Sequence, residues 1–77
     1  KYYVLDWKTN YALTYTEEGL VEIMESHDYY LQGSIYATAL KKYLRIFTKQ
    51  TFEEIFGGAI YLFVRHPAAY HFFPEVL

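Results

Sequence analysis

No cysteine occurs in the 77 residues, which excludes a disulfide scaffold and any thiolate-bound metal and makes a reducing cytoplasm the expected setting. Within these 77 residues no basic segment leads into an apolar one, and no run approaches the roughly 18 apolar residues of a span, so secretion gains no support. Proline is scarce, with Pro67 and Pro74 alone near the end of the chain, so everything before Pro67 is open to regular structure. Net positive charge is absent too, since seven Lys and Arg stand against nine Asp and Glu, giving −2. Such a balance exerts no overall pull on a polyanion, and any such contact has to come from a local patch, a metal ion or a partner.

The chain also lacks internal repeats, linkers and low-complexity tracts. At this length it forms one small domain, and chains of this size bury only about 60% of the surface they expose when unfolded. Position 1 is Lys rather than Met, and the sequence opens directly inside an apolar stretch. The expectation is a piece of a larger polypeptide, with residues 1–77 forming part of a single domain truncated on its N-terminal side.

What the chain has in excess is aromatic residues: ten Tyr, six Phe and one Trp. Base stacking on exposed rings is one reading. The other is a small core filled by large side chains, together with a surface meant for the rest of a parent protein. Most of these rings lie in periodic segments, where packing accounts for them.

Periodicity predicts a strand over Tyr2 to Lys8, then a helix capped by Thr16, with Glu17 and Glu18 in its first turn and an apolar stripe of Leu20, Ile23 and Met24. Glu18, Glu22 and Glu25 fall on another face and read as a solvated acidic surface rather than a metal cluster. Ser26-His27-Asp28 marks a bend or restart. A long helix follows from Tyr29 to Phe47, its apolar steps running through Leu31, Ile35, Ala39, Leu40, Tyr43, Leu44 and Phe47. Lys41, Lys42, Arg45 and Lys49 collect near its C-terminal end, complementing the helix dipole or offering a phosphate-contacting patch.

Residues 50–56 read as a short connection with a helical turn, and Gly57-Gly58 as a breaker. Ala59 to Val64 is apolar without alternation, as in a strand covered on both faces. From Arg65 onward the expectation is irregular structure with at most a short extended piece. Two strands joined through helices favour a parallel pair with a right-handed crossover. The fold class expected is therefore α/β.

The chemistry concentrates at the end of the first strand. Side chains alternate along a strand, so Asp6 and Lys8 face one way and Trp7 the other. A carboxylate there can hold a divalent cation that acidifies a water, and an amine can hold that water or stabilise charge on a phosphate. The Asp-x-Lys spacing alone is weak, because a solvated strand face produces it often.

The order of features says more. An apolar lead-in, Asp6-Trp7-Lys8-Thr9-Asn10, a helix bearing Gln32-x-x-x-Tyr36, and the run Gly57-Gly58-Ala59-Ile60-Tyr61-Leu62-Phe63 follow one another. This resembles the C-terminal nuclease domains of the RecB family, in the PD-(D/E)xK nuclease superfamily, from about Tyr2 to Arg65. Tyr15-Thr16, the His27 region and Leu31-Gln32 to Tyr43-Leu44 belong to the likeness.

The resemblance implies a partial restriction-endonuclease-like core and a Mg²⁺-dependent DNA exonuclease within a helicase-nuclease that processes double-strand ends in recombinational repair. The metal would be held by Asp6, by the backbone carbonyl of Trp7 and by a second acid preceding Lys1. Lys8 would position the nucleophile, Gln32 would orient Lys8 or a phosphate, and Tyr36 would contact the DNA backbone. Without the resemblance, Gln32 and Tyr36 read as polar tips of a helix packed on a strand. His27, His66 and His71 do not match the family's histidine and read as surface or packing residues, while Thr9 and Asn10 shape the strand exit.

Further implications are ATP used by the parent motor and not by these residues, RecC-like and RecD-like partner subunits, single-stranded DNA and double-stranded ends as substrates, and a bacterial cytoplasmic location. With one carboxylate of the implied set, residues 1–77 alone are expected to bind Mg²⁺ poorly and to cleave nothing. Two alternatives stand beside this reading: a stand-alone exonuclease of the same superfamily, and an inactive nuclease-like scaffold for DNA or subunit docking.

Overall fold

In the computed structural model, which describes residues 1–10, 14–65 and 67–76, a three-stranded sheet carries helices on one face. Strand β1 spans Tyr2–Lys8. Helix α1 spans Glu17–Ser26, α2 Tyr29–Phe47 and α3 the single turn Phe52–Ile55, which leads directly into strand β2, Phe56–Phe63. Strand β3, Ala68–Phe72, follows. The order across the sheet is β1-β2-β3, with β1 and β2 parallel and β2 and β3 antiparallel. The expected α/β class and parallel pair are both present.

Local chemistry explains the helix starts. The Thr16 hydroxyl accepts a hydrogen bond from the Gly19 amide, satisfying one of the amides that a helix leaves unpaired at its N-terminus. Leu20, Ile23 and Met24 are buried as their spacing predicts, and Glu18, Glu22 and Glu25 are exposed. At the restart, Asp28 sits in the left-handed region (φ 55, ψ 33) and its side chain caps nothing. The restart expected at Ser26-His27-Asp28 is thus a backbone bend at Asp28.

Three expectations are corrected or sharpened. The Gly57-Gly58 pair does not precede β2 but lies inside it. Gly58 has φ +102, and a Cβ there would meet His71 and the carbonyl of Phe72, while one on Gly57 would run into the Tyr3 ring. The glycines thus let neighbouring strands close around an irregular start to the ladder, where the register shifts between Tyr2 and Val4.

Secondly, the short extended piece foreseen after Arg65 is a full member of the sheet. It forms β3, paired from Ala59↔Phe72 to Phe63↔Ala68, with Pro67 ahead of the strand where its missing N–H costs no ladder bond.

Thirdly, only part of the apolar stripe of α2 packs: Leu44 and, partly, Leu40 join the core, and the rest of the stripe does not. Gly33, Ala37 and Leu44 are buried, whereas Leu31, Ile35, Tyr43 and Phe47 are exposed. Small residues let α2 lie close to the sheet, and the Phe72 ring touches Gly33 so tightly that a Cβ would clash.

The core has two parts. Leu20, Ile23 and Met24 of α1 pack with Ala59, Tyr61 and Phe63 of β2, and Ala37 and Leu44 of α2 pack with Phe52, Ile55 and Phe56. Val4 of β1 touches both. On the other side of β2, Ile60 and Leu62 are only half-buried. The strand expected to be covered on both faces is covered by helices on one, because among the described residues all three helices lie on that side.

Candidate functional site

Strand β1 delivers Asp6 and Lys8 to the helix-covered face by its alternation, while Tyr3, Leu5 and Trp7 point to the opposite face and are exposed. Lys8 is the one buried charged residue among those described, at 8% exposure. Its Nζ lies 2.7 Å from Asp6 Oδ2 and donates a 2.7 Å hydrogen bond to Gln32 Oε1. Burying an ammonium is costly unless it is paired and hydrogen-bonded, and here both conditions are met.

Gln32 comes from the first turn of α2 and faces β1. Because Lys8 has only donors, the amide oxygen rather than the amide nitrogen must turn towards it. The same oxygen lies 3.0 Å from the hydroxyl of Tyr61 on β2, whose single proton it shares with the Tyr29 carbonyl at 3.2 Å. Two rings complete the surroundings: Lys8 Nζ lies 4.0 Å from the Tyr29 ring centroid and 4.9 Å from that of Tyr61, within cation–π range. Burial first, and the Asp6 carboxylate second, push the Tyr61 phenol above the usual tyrosine range. Tyr61 therefore stays protonated and able to donate.

The strand exit is tied to the same cluster. Tyr29 donates to Asn10 Oδ1 at 3.0 Å, Tyr15 donates to the Asn10 carbonyl, and Arg65 Nε donates to the Thr9 carbonyl. Thr9 and Asn10 thus shape the exit as expected, and Asn10 does so by holding the ring over which Lys8 sits.

The sequence-predicted residues do not all converge. Asp6, Lys8 and Gln32 form one hydrogen-bonded group. Tyr36, a turn beyond Gln32, is 42% exposed, near enough to Tyr61 to add to its upward shift but outside the group itself. Tyr61 and Tyr29 were not singled out beforehand. The signal for Tyr61 was available in the parallel strand pairing that sets it opposite Asp6, and that register is not visible in a linear sequence.

Of the histidines, His27 stacks on Tyr29 and His71 Nε2 lies 2.7 Å from the Gly57 carbonyl oxygen, so both act in packing. His66 lies outside the described residues.

Among the described residues, no three His, Cys, Asp or Glu side chains gather as a metal shell. The donors present are nevertheless of the right chemistry for a hard cation. Lys8 turns its carbonyl to β2, accepting from the Val64 amide. Backbone carbonyls alternate along a strand, so that of Trp7 points to the open edge of β1. One carboxylate and one free carbonyl suit Mg²⁺, which binds through few protein oxygens and keeps several waters.

A strand-end acid and lysine on a parallel pair, clamped by a glutamine from a covering helix, define a small α/β unit with a polar site at its sheet edge. The sequence comparisons then place it. The chain is 40% identical over 70 residues to the RecBCD enzyme subunit RecB of Escherichia coli (strain K12), 42% over 69 residues to that of Borreliella burgdorferi and 38% over 71 residues to that of Mycobacterium tuberculosis. Each match covers 84% of the chain. The chain is therefore a RecB-like segment, and it spans about 6% of the length of these curated relatives. No family model matches it. No helix among the described residues is long and apolar enough to cross a membrane.

Proposed function

We propose that residues 1–77 are the C-terminal part of the nuclease domain of a RecB-like subunit, and that the domain hydrolyses phosphodiester bonds of DNA. The observation that carries this reading is Lys8, buried at a strand end between Asp6 and Gln32, in a chain that matches RecB across most of its length. An ordinary solvated strand face gives no reason to bury an ammonium and surround it with an acid, an amide and two rings.

Asp6 and the Trp7 carbonyl would hold Mg²⁺ together with an acid from outside this chain. Bound there, the ion supplies Lewis-acid polarisation of the phosphate and acidification of a water. The remaining work belongs to the chain. Lys8 has three N–H donors, of which Asp6 and Gln32 occupy two, leaving one to hold the attacking water or a phosphate oxygen. The amide of Gln32 keeps the ammonium aimed. Tyr36, on the exposed flank of α2, contacts the DNA backbone. Burial strengthens the interactions of Lys8 by excluding water.

The parent protein would act on double-strand ends and single strands of DNA in the bacterial cytoplasm, with an ATP-driven motor and RecC-like and RecD-like subunits, in recombinational repair. The decisive experiment follows nucleotide release from linear duplex DNA by that parent assembly, with ATP hydrolysis recorded in parallel. Loss of degradation with retained ATPase in Asp6→Ala and Lys8→Ala supports the reading. Unchanged degradation in both overturns it, leaving these residues in a scaffold.

A further inference from the structure

We propose that Tyr61 and Tyr29 are positioning residues for Lys8: Tyr61 fixes the Gln32 carbonyl by hydrogen bonding, and the two rings hold the ammonium from below. The inference rests on the functional reading above and extends it from the strand-end motif to the second strand of the parallel pair.

The geometry makes Tyr61 the hub. Its side chain is fully buried, and its hydroxyl reaches both Gln32 Oε1 at 3.0 Å and the Tyr29 carbonyl at 3.2 Å. Without this second donor, Gln32 would be held by Lys8 alone, and a flexible amide and a flexible ammonium would have to order each other. With it, the amide oxygen accepts from Tyr61 as well as from Lys8, so its position does not depend on Lys8 alone. A phenol is protonated at physiological pH, so the hydroxyl keeps the proton needed for donation.

Tyr29 contributes differently. Its ring meets that of Tyr61 edge to face, with centroids 5.7 Å apart, and its own hydroxyl is anchored on Asn10. The two faces turned towards Lys8 Nζ are therefore immobilised at both ends. Neither tyrosine touches reacting atoms; each acts through Lys8 or Gln32.

A structural role alone would also make Tyr61 important, so the test removes only the hydroxyl. Tyr61→Phe keeps the ring and its packing. In the chain with ¹⁵N-labelled lysine, the Lys8 ammonium is expected to exchange its protons more slowly than the other lysines, and Tyr61→Phe to speed that exchange roughly tenfold, the loss expected for about one hydrogen bond. Tyr29→Leu, which removes the face under the ammonium, serves as the second variant and is expected to speed it also. An exchange rate unmoved by either change overturns the proposal.

In the parent assembly, Tyr61→Phe is expected to lower kcat roughly tenfold with KM unchanged, and to lower it no further in a Gln32→Ala background, because groups acting as a unit are not additive. Full additivity of the two changes overturns the proposal. Lys8→Ala in the same assembly keeps the two readings apart: retained cleavage sinks the nuclease reading, while proton exchange in the chain still judges the tyrosines.

Discussion

The two faces of β1 invert the usual arrangement of a half-covered strand. On the face under the helices stand Val4, Asp6 and the buried Lys8; on the bare face stand Tyr3, Leu5 and Trp7, at 51%, 56% and 64% exposure. Ordinarily the apolar set faces the core and the charged set faces water. A slip of register by one residue would place Leu5 and Trp7 under α2 and free both charges into solvent. The observed register instead buries an ammonium, and the partners that make this tolerable come from three other elements: Gln32 and Tyr29 from α2, Tyr61 from β2 and Asn10 from the strand exit. This cluster is the feature on which the proposed chemistry rests, since packing alone gives no reason to bury it.

The largest effect that would sharpen this contrast is catalytic. Lys8→Ala should reduce DNA cleavage by the parent enzyme by about 100-fold or more, the usual scale for losing one preorganised donor, while ATP hydrolysis continues. Next comes the packing beneath the polar cluster. Phe63 is fully buried, and Phe63→Ala should cost roughly 3–5 kcal/mol of unfolding free energy in urea titration; a value near zero would mean that the covered face is not a packed core.

A smaller effect comes from alkali. Tyr30 and Tyr61 both have phenols raised above the ordinary value of 10.0, in each case by burial first. Below that ordinary value both states keep the proton and stability is flat. Above it the unfolded chain releases protons that the folded chain retains, so stability should fall as pH rises past about 10. Tyr61→Phe should flatten that fall, as read from thermal unfolding across pH 8 to 11, a range set by the roughly 10 of free tyrosine. A fall of unchanged steepness would count against burial as its cause.

The smallest effect belongs to the bare face. Leu5→Thr and Trp7→Thr should each change the stability of the chain by less than about 0.5 kcal/mol, as surface changes do. A larger, concentration-dependent loss would break the comparison by revealing that a second copy covers this face in solution.

Much of the architecture was legible before any coordinates. Thr16 with Glu17 and Glu18 announced α1, the spacing of Leu20, Ile23 and Met24 named its buried side, and the α2 boundaries Tyr29 and Phe47 followed from its periodicity. Yet periodicity says that a helix has an apolar face without saying that this face packs. In α2 the smallest side chains, Gly33 and Ala37, won the sheet because close approach buries more of both surfaces than large side chains held at a distance. The β3 strand was legible only as a short extended piece for a related reason: Ala68 to Phe72 has no strong alternation, and its pairing to β2 is a tertiary fact.

The site divides in the same way. Asp6 and Lys8 share a face because a strand alternates, and Gln32 lies one turn from Tyr36 because a helix repeats every 3.6 residues; covalent geometry settles both, so the sequence determined them alone. The ammonium's environment was decided by tertiary structure. Tyr61 reaches Gln32 across 29 positions of sequence and Tyr29 reaches Asn10 across 19, and contacts at such separation exist only once the parallel pairing of β1 with β2 has set which side chains stand together beneath α2.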